Sequence, residues 1–406
     1  MRAGIGFSNQ SDAFENGRHV ISEATSSTNI ENPEFILAFC TKDLDHEHFL
    51  RGMQDVVGHS VPIVGGTTIG IISNHNISYK APSSGALVLQ LDNIKVRVAR
   101  ADGIDEDEVK SGVKLAETLG SSSRDKLMFI LYDMVKSPAA PNKPPQMNSL
   151  LSLLRGIQSI YPTHIPVFGG GTIGDYSFSH SKLFCEQKVC EQALLSVVFS
   201  GDFIPYHTIM HGCTPFDGAY HKITKNRGTT ILEFDGRPAI SILDSIFKNP
   251  NWQNEVPVKD LTIGINLGEK YGAFKESNYV TRLISGTVAE NGGIMTPEPD
   301  WHEGTEVQFL IRDNEEMIES AKENSTTLFE QISADGKTPR LALYIDCAGR
   351  TSYFCNSIQE EASMVQKICN NRNVPLFGFY SGIEVAPFLG VSRGLEWTGV
   401  LIVFAD

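Results

Sequence analysis

The residues with the most chemistry to offer lie near the C-terminus: Cys347, Arg350, Glu361, Tyr380 and Glu384, with Phe379 beside them. Arg350 follows a strand-like apolar run, and Glu361 falls on the helix expected next. Phe379, Tyr380 and Glu384 come from the turn after that helix, so the group is expected to converge on one polar pocket. A guanidinium there suits a carboxylate ligand, because its rigid fork of donors matches two carboxylate oxygens. A purely structural Arg–Glu pair fits the same residues, and both readings stay open. Cys347 beside a cation could also serve as a nucleophile in a hydrolase or transferase. No neighbouring histidine supports that alternative, and the chain is read as a binding protein rather than an enzyme.

A second set of candidates is made of glycines. The stretch Val61-Pro62-Ile63-Val64-Gly65-Gly66-Thr67-Thr68-Ile69-Gly70 returns as Ile165-Pro166-Val167-Phe168-Gly169-Gly170-Gly171-Thr172-Ile173-Gly174, and more faintly around Gly378. Ligands of open α/β sheets collect beyond the carboxyl ends of strands, where glycine lets backbone N–H groups come close. Gly65, Gly66, Gly169 and Gly170 are therefore candidate ligand-binding positions; the plain alternative is positive φ or tight packing. Each run is expected to break away from regular strand geometry. Gly169-x-Gly171-x-x-Gly174 matches the dinucleotide fingerprint in form, but no helix opens after it, and the first copy has Thr67 where Gly171 stands. A nucleotide cofactor is not expected.

These positions need a framework. Residues 2–7, 35–41, 127–133, 341–347 and 398–405 read as strands; residues 12–24, 45–58, 105–119, 147–160 and 315–332 have helical spacing. Residues 85–91 and 94–99 are expected to form a hairpin about Asp92-Asn93, repeated by 193–200 and 204–210. Residues 137–146, with Pro138, Pro141, Pro144 and Pro145, read as a long strand-to-helix loop. The last helix, 357–370, carries the capping box Ser357-x-x-Glu360. Residues 238–248 read as a helix opened by Pro238, and 261–266, 279–284, 286–288 and 306–311 as an antiparallel group. The expected fold class is α/β in two domains. The first, 1–211, is a duplication of a strand–helix–glycine turn–hairpin unit, at about 1–104 and 105–211. The second, 212–406, holds a third, more distant unit plus antiparallel strands.

The chain of 406 residues carries a formal net charge of −14, with 41% hydrophobic and 20% charged residues. Such a balance disfavours nucleic acid and anionic membrane surfaces as partners. Seven cysteines, an odd number without a C-x-x-C pair, read as buried reduced thiols. The N-terminus lacks a signal-peptide pattern, and no apolar run approaches the ~20 residues of a membrane span. A cytoplasmic location is expected.

The ordered motifs resemble those of FIST proteins, a family of bacterial and archaeal sensors with an N-terminal and a C-terminal FIST domain. The resemblance rests on Pro62 to Gly66 and Pro166 to Gly170, then on the junction Gly212-Cys213-Thr214-Pro215-Phe216-Asp217-Gly218 with Thr224 and Phe234-Asp235-Gly236-Arg237-Pro238-Ala239. It continues with Cys347-Ala348-Gly349-Arg350, Glu361, Pro375-Leu376-Phe377-Gly378-Phe379-Tyr380 and Glu384. The chain departs from the family at Leu395-Glu396-Trp397-Thr398, where members often carry a His-Asn-x-Thr-like segment. The resemblance implies a sensor of a small ligand, amino acid-like or another metabolite. It would signal through a separate partner such as a histidine kinase of a two-component system. Some relatives are haem proteins that sense nitric oxide, so haem b held without covalent attachment is the alternative. His211, at the domain junction and near His207 and Cys213, is the candidate axial ligand, with His180 second; a metal held by His207, His211 and Cys213 is the remaining option.

Overall fold

The computed structural model describes residues 1–138, 145–247, 250–355 and 359–406. The first unit runs β1 (Arg2–Ser8), α1 (Ala13–Thr28), β2 (Phe35–Cys40), α2 (His46–Val57), β3 (Ile63–Thr67), the hairpin β4 (Ile71–Ser73) and β5 (Ile77–Ser78), then β6 (Ser84–Gln90). The second runs β7 (Ile94–Asp102), α3 (Glu108–Leu119), β8 (Asp125–Asp133), β9 (Val135–Ser137), β10 (Gln146–Met147), α4 (Leu150–Gln158), β11 (Val167–Thr172), β12 (Leu183–Cys185), β13 (Lys188–Cys190) and β14 (Ala193–Gly201). The third opens with β15 (Ile204–Met210) and is then interrupted. The interruption holds β16 (Cys213–Pro215), β17 (His221–Arg227), β18 (Thr230–Phe234), β19 (Arg237–Pro238), α5 (Ala239–Phe247), β20 (Leu261–Asn266), β21 (Tyr279–Arg282), β22 (Gly286–Val288), β23 (Gly293–Met295) and β24 (Glu306–Arg312). The unit resumes as α6 (Asn314–Ala334), β25 (Pro339–Cys347), α7 (Ser352–Cys355), α8 (Ala362–Asn371), β26 (Leu376–Ser381), β27 (Ile383–Phe388), β28 (Val391–Leu395) and β29 (Gly399–Ala405). The fold is α/β, with the insertion forming its own antiparallel sheet.

Local chemistry explains most boundaries. Asp12, Asp45, Asp107 and Asp313 cap α1, α2, α3 and α6, each accepting a backbone N–H of the first turn. Gly58 and Gly120 close α2 and α3 in positive φ. Of the expected capping box, Ser357 lies outside the described residues. Glu360 turns away from α8 to bind Ser352 N–H and the Tyr380 hydroxyl. Pro141 and Pro144 also lie outside the described residues.

The two expected hairpins do not form. β6 lies between β1 and β2, and β14 between β7 and β8, so both edges of each are already used. The next strand therefore crosses to a new sheet: β7 pairs with β14, and β15 with β29. As a result the three sheets are β1-β6-β2-β3-β12-β13, β7-β14-β8-β11-β27-β28, and β15-β29-β25-β26-β4-β5. Each short hairpin is handed to a neighbouring unit: β12–β13 of the second extends the first sheet, β27–β28 of the third the second, and β4–β5 of the first the third. Equivalent pairs keep one register throughout, Ala38↔Gly65, Ile130↔Gly169 and Tyr344↔Gly378. The expected division at 211/212 thus falls between β15, in the third unit's sheet, and the insertion.

The glycine runs remain strands, contrary to expectation. The position a Cβ would take on Gly65 is 1.7 Å from the Ala38 carbonyl oxygen, and on Gly169 1.8 Å from that of Ile130. Both glycines sit at positive φ, +147° and +136°, which lets the parallel strands stay paired. Gly65→Ala is expected to cost about 3 kcal/mol of stability or more from the clash and the strained φ together, read as a lowered denaturant midpoint.

Between the three sheets lies an apolar core that includes Phe35, Leu37, Phe39, Phe129, Leu131, Leu343, Ile345 and Phe379. Phe39 stacks on Phe379 at 4.0 Å. Packing leaves a cavity of only about 10 Å³ among Phe35, Leu87, Phe129, Leu343 and their neighbours, so the axis cannot hold a small ligand. Cys185 and Cys190, read as free thiols, are joined across the β12–β13 hairpin, whose register brings their Cα atoms to 6.3 Å. No helix among the described residues is long and apolar enough to cross a membrane.

Candidate functional site

The carboxyl ends of β25 and β26 meet the insertion at a fully buried polar centre. β25 delivers Asp346 and Cys347, and the tight turn after it delivers Arg350. Glu361 stands at the start of α8, and Glu384 on β27. Arg350 donates through Nε to Glu361 Oε1 at 2.6 Å and through Nη1 to the carbonyls of His211 at 2.8 Å and Trp397 at 2.9 Å. Asp346 Oδ1 is 3.3 Å from Arg350 Nε. Burial opposes charge on Arg350, yet the acids beside it, Glu361 first, outweigh it and hold the guanidinium protonated. Burial, and then Glu361, pushes the Asp346 carboxyl far above its usual range. Ion pairing here serves the fold and consumes two faces of Arg350; its Nη2 is left without a partner.

Glu384 accepts from Ser381 Oγ at 2.7 Å and Thr398 N–H at 3.3 Å, and burial pushes its pKa to about 8. Burial and then Glu384 push the Cys347 thiol well above its ordinary range. That environment disfavours the thiolate a nucleophile needs.

The other predicted positions divide. Gly170 lies directly opposite Glu384 in the β11–β27 ladder and joins the centre. Gly65, Gly66 and Gly169 sit within buried strands, with Gly66 opposite Leu183 instead. Tyr380 borders the centre, donating to Glu360 Oε1 at 2.8 Å. Phe379 points the opposite way, into the apolar core.

Three residues absent from the sequence-based set complete the centre: Asp346, Trp397 and Arg312. Trp397 is buried at φ +57°, and the position a Cβ would take on Gly349 is 1.8 Å from its ring. Gly349 of the Cys347-Ala348-Gly349-Arg350 motif is thus the gap into which Trp397 fits. The Arg312 guanidinium lies 3.5 Å from the centre of the same indole ring and donates to Gly349 O at 3.1 Å. Glu396 next to it accepts from Leu283 N–H at 2.6 Å and is 3.9 Å from Arg282, linking the centre to the insertion. The available signal was the departure from the family at Leu395 to Thr398, where an acid and a tryptophan stand in a strand-ending segment.

Several buried side-chain atoms that make no hydrogen bond lie here. Among the described residues they include Asp346 Oδ1 and Oδ2, Arg350 Nη2, Glu361 Oε2, Tyr344 Oη and Trp397 Nε1. Above them α7 forms an aromatic cover: Phe354 lies 6.4 Å from Trp397 and 4.7 Å from Tyr176, and Tyr353 stacks on Tyr176 at 5.3 Å.

The three candidate histidines are each held by the fold. His211 is buried, its Nδ1 accepts from Cys213 N–H at 2.9 Å, and its Nε2 faces Glu276 O at 3.2 Å. Both ring nitrogens are engaged. Burial lowers the His211 pKa against the pull of Glu276. His207 Nε2 meets Pro387 O, and His180 Nδ1 meets Gln192. Among the described residues no three His, Cys, Asp or Glu groups converge as a metal site, so His207, His211 and Cys213 do not form one.

Models of protein families match the chain twice: the FIST N domain over residues 34–237 and the FIST C domain over residues 240–387. No curated protein matches it. Among solved structures, a cyanuric acid hydrolase from A. caulinodans aligns at 8% identity and a TM-score of 0.38, covering 100% of this chain and 99% of that one. A chorismatase aligns at 9% identity and the same TM-score of 0.38, covering 100% and 98%.

Proposed function

The chain belongs to the FIST family, and we propose that it senses an amino acid-like metabolite at the Asp346–Arg350–Trp397 centre and reports to a separate protein, such as a histidine kinase. Its FIST domains indicate a small-ligand sensing role in signal transduction. The observation that carries the choice of site is the gathering of unpartnered buried atoms of both kinds, donors on Arg350 and Trp397 and acceptors on Asp346 and Glu361. Each such atom costs about 1–3 kcal/mol while unmatched. A molecule with a carboxylate and an amine supplies both complements, the first to Arg350 Nη2 and Trp397 Nε1, the second to the acids. Because the centre includes His211, Arg312 and Trp397, it touches both the third unit and the insertion. A ligand preferring one arrangement of the two shifts their population and so alters the surface offered to the partner.

Thermal unfolding against a panel of amino acids and related metabolites tests the reading. A ligand at a hundred times its Kd adds about 2.7 kcal/mol. Trp397→Phe keeps the ring beneath Arg312 but removes the Nε1 donor, and Asp346→Asn removes an acceptor while keeping shape. Both are expected to reduce the ligand-induced shift while leaving the ligand-free protein folded. An undiminished shift in both variants would place the ligand elsewhere.

A further inference from the structure

The three units repeat one construction at their seams. In each, an edge strand (β1, β7 or β15) runs beside the tip of the unit's own exported hairpin. The registers make Phe7, Arg100 and Ile209 equivalent, and likewise Ile5, Val98 and His207. In the third unit His207 bridges the seam to Pro387 O at 3.3 Å. In the second, Arg100 Nη1 reaches Cys190 Sγ at 3.2 Å. Among the described residues no hydrogen bond joins β1 to the β4–β5 hairpin; this seam opens into a groove of about 560 Å³, against about 440 Å³ at the bridged second seam.

One wall of that groove is the outer edge of β1, which no other strand covers. Phe7 N–H donates to Glu23 Oε2 at 2.7 Å, so it points away from β6. Backbone groups alternate along a strand, so the N–H groups of Ala3 and Ile5 point the same way. The facing wall is built from fixed amides: Asn74 Nδ2 donates to Asn370 Oδ1 at 2.7 Å and to Val374 O at 2.9 Å, and Asn74 Oδ1 accepts from Leu376 N–H at 2.8 Å. Glu23 is the one carboxylate lining the groove, with His75 on the facing wall. An open strand edge with a rigid polar wall opposite is a template for strand addition.

We propose that an extended segment of a partner protein docks in this groove as an added strand on β1, with a Lys or Arg set against Glu23. A main-chain ladder gives affinity without demanding one sequence. Glu23 supplies the charge preference, and the net charge of −14 favours a basic partner segment at longer range.

The probe is a set of end-capped nonapeptides alternating Val and Thr, with one Lys stepped through each position, read by fluorescence anisotropy and amide hydrogen exchange on the full chain. Expected are binding that depends on Lys position, slowed exchange at Ala3 and Ile5, and loss of the Lys preference in Glu23→Gln. Ile5→Pro removes one outward N–H while leaving the bonds to β6, since an edge position tolerates proline; it should weaken binding about fivefold or more. N-methylation of the peptide at alternate positions makes the same test on the unaltered protein: one phase should abolish binding and the other spare it. Binding indifferent to both changes overturns the proposal, as does no binding up to about 1 mM. A homodimer that dissociates in Ile5→Pro also overturns it, by giving the edge to a second copy of the chain.

Discussion

Arg350→Ala is expected to lower the unfolding free energy by about 3–5 kcal/mol, the range for removing one partner from a buried ion pair. The loss is not the value of one contact. Arg350 is fully buried, and its removal strands Glu361, Asp346 and the carbonyls of His211 and Trp397 away from water. Two of those carbonyls come from distant parts of the chain, so the same change loosens β15's end and the segment before β29 together. Glu361→Gln should cost less, because an amide oxygen can still accept from Arg350 Nε and Asp346 stays beside the guanidinium. Urea unfolding at neutral pH compares the two. A loss under about 1 kcal/mol for Arg350→Ala would equal an exposed pair and would contradict a sealed centre.

That centre was half legible from sequence. Arg350 and Glu361 could be placed because one follows a strand and the other opens a helix, positions set by local patterning, whereas Glu384, within β27, was placed by motif order alone. Trp397 and Asp346 could not. Asp346 sits inside an apolar strand run, and its partner Arg350, four residues on, reaches it only through the tight turn after β25. Trp397 is lodged by Gly349, far away in sequence, and covered by Arg312 from the insertion. The same limit explains the hairpins. Residues 84–102 have the alternation and turn of two paired strands, but pairing depends on which edges are free, and β1 and β2 had already taken both edges of β6. Helix starts at Asp12 and Asp45 were readable because the atoms that cap them lie within one turn. The exchange of hairpins among units is a property of the closed set of three sheets, and no single segment encodes it.

The buried acids predict an unusual pH dependence. Burial raises Glu298 to about 7, and Glu384 and Glu396 to about 8, above the ~4.3 of an unfolded glutamate. The folded chain therefore holds protons that the unfolded chain has released, and stability falls as pH rises toward those folded values. Below about pH 6.5 an opposing effect enters. Burial lowers His46 to about 4 and also depresses His207 and His211, so unfolding takes up protons there and acidification costs stability. Between pH 6.5 and 8 only the carboxyl effect remains among these groups. The unfolding free energy is expected to drop across that window, with each fully protonated acid contributing about 1.4 kcal/mol per pH unit. Glu396→Gln isolates one of them: its stability profile should be shallower than that of the parent by up to about that slope, with the difference vanishing above pH 8. Glu298→Gln makes the same comparison about one pH unit lower. It also reports on the joint between the insertion and α4, because Glu298 accepts from Leu150 N–H at 2.9 Å and Ser149 Oγ at 3.1 Å. A profile that stays parallel to the parent would mean that Glu396 is ionised in the folded chain. Arg282, held 2.7 Å from Asp300, would then be sustaining two carboxylates at once, and the link between the insertion and the third unit would be an ion network rather than a set of neutral hydrogen bonds.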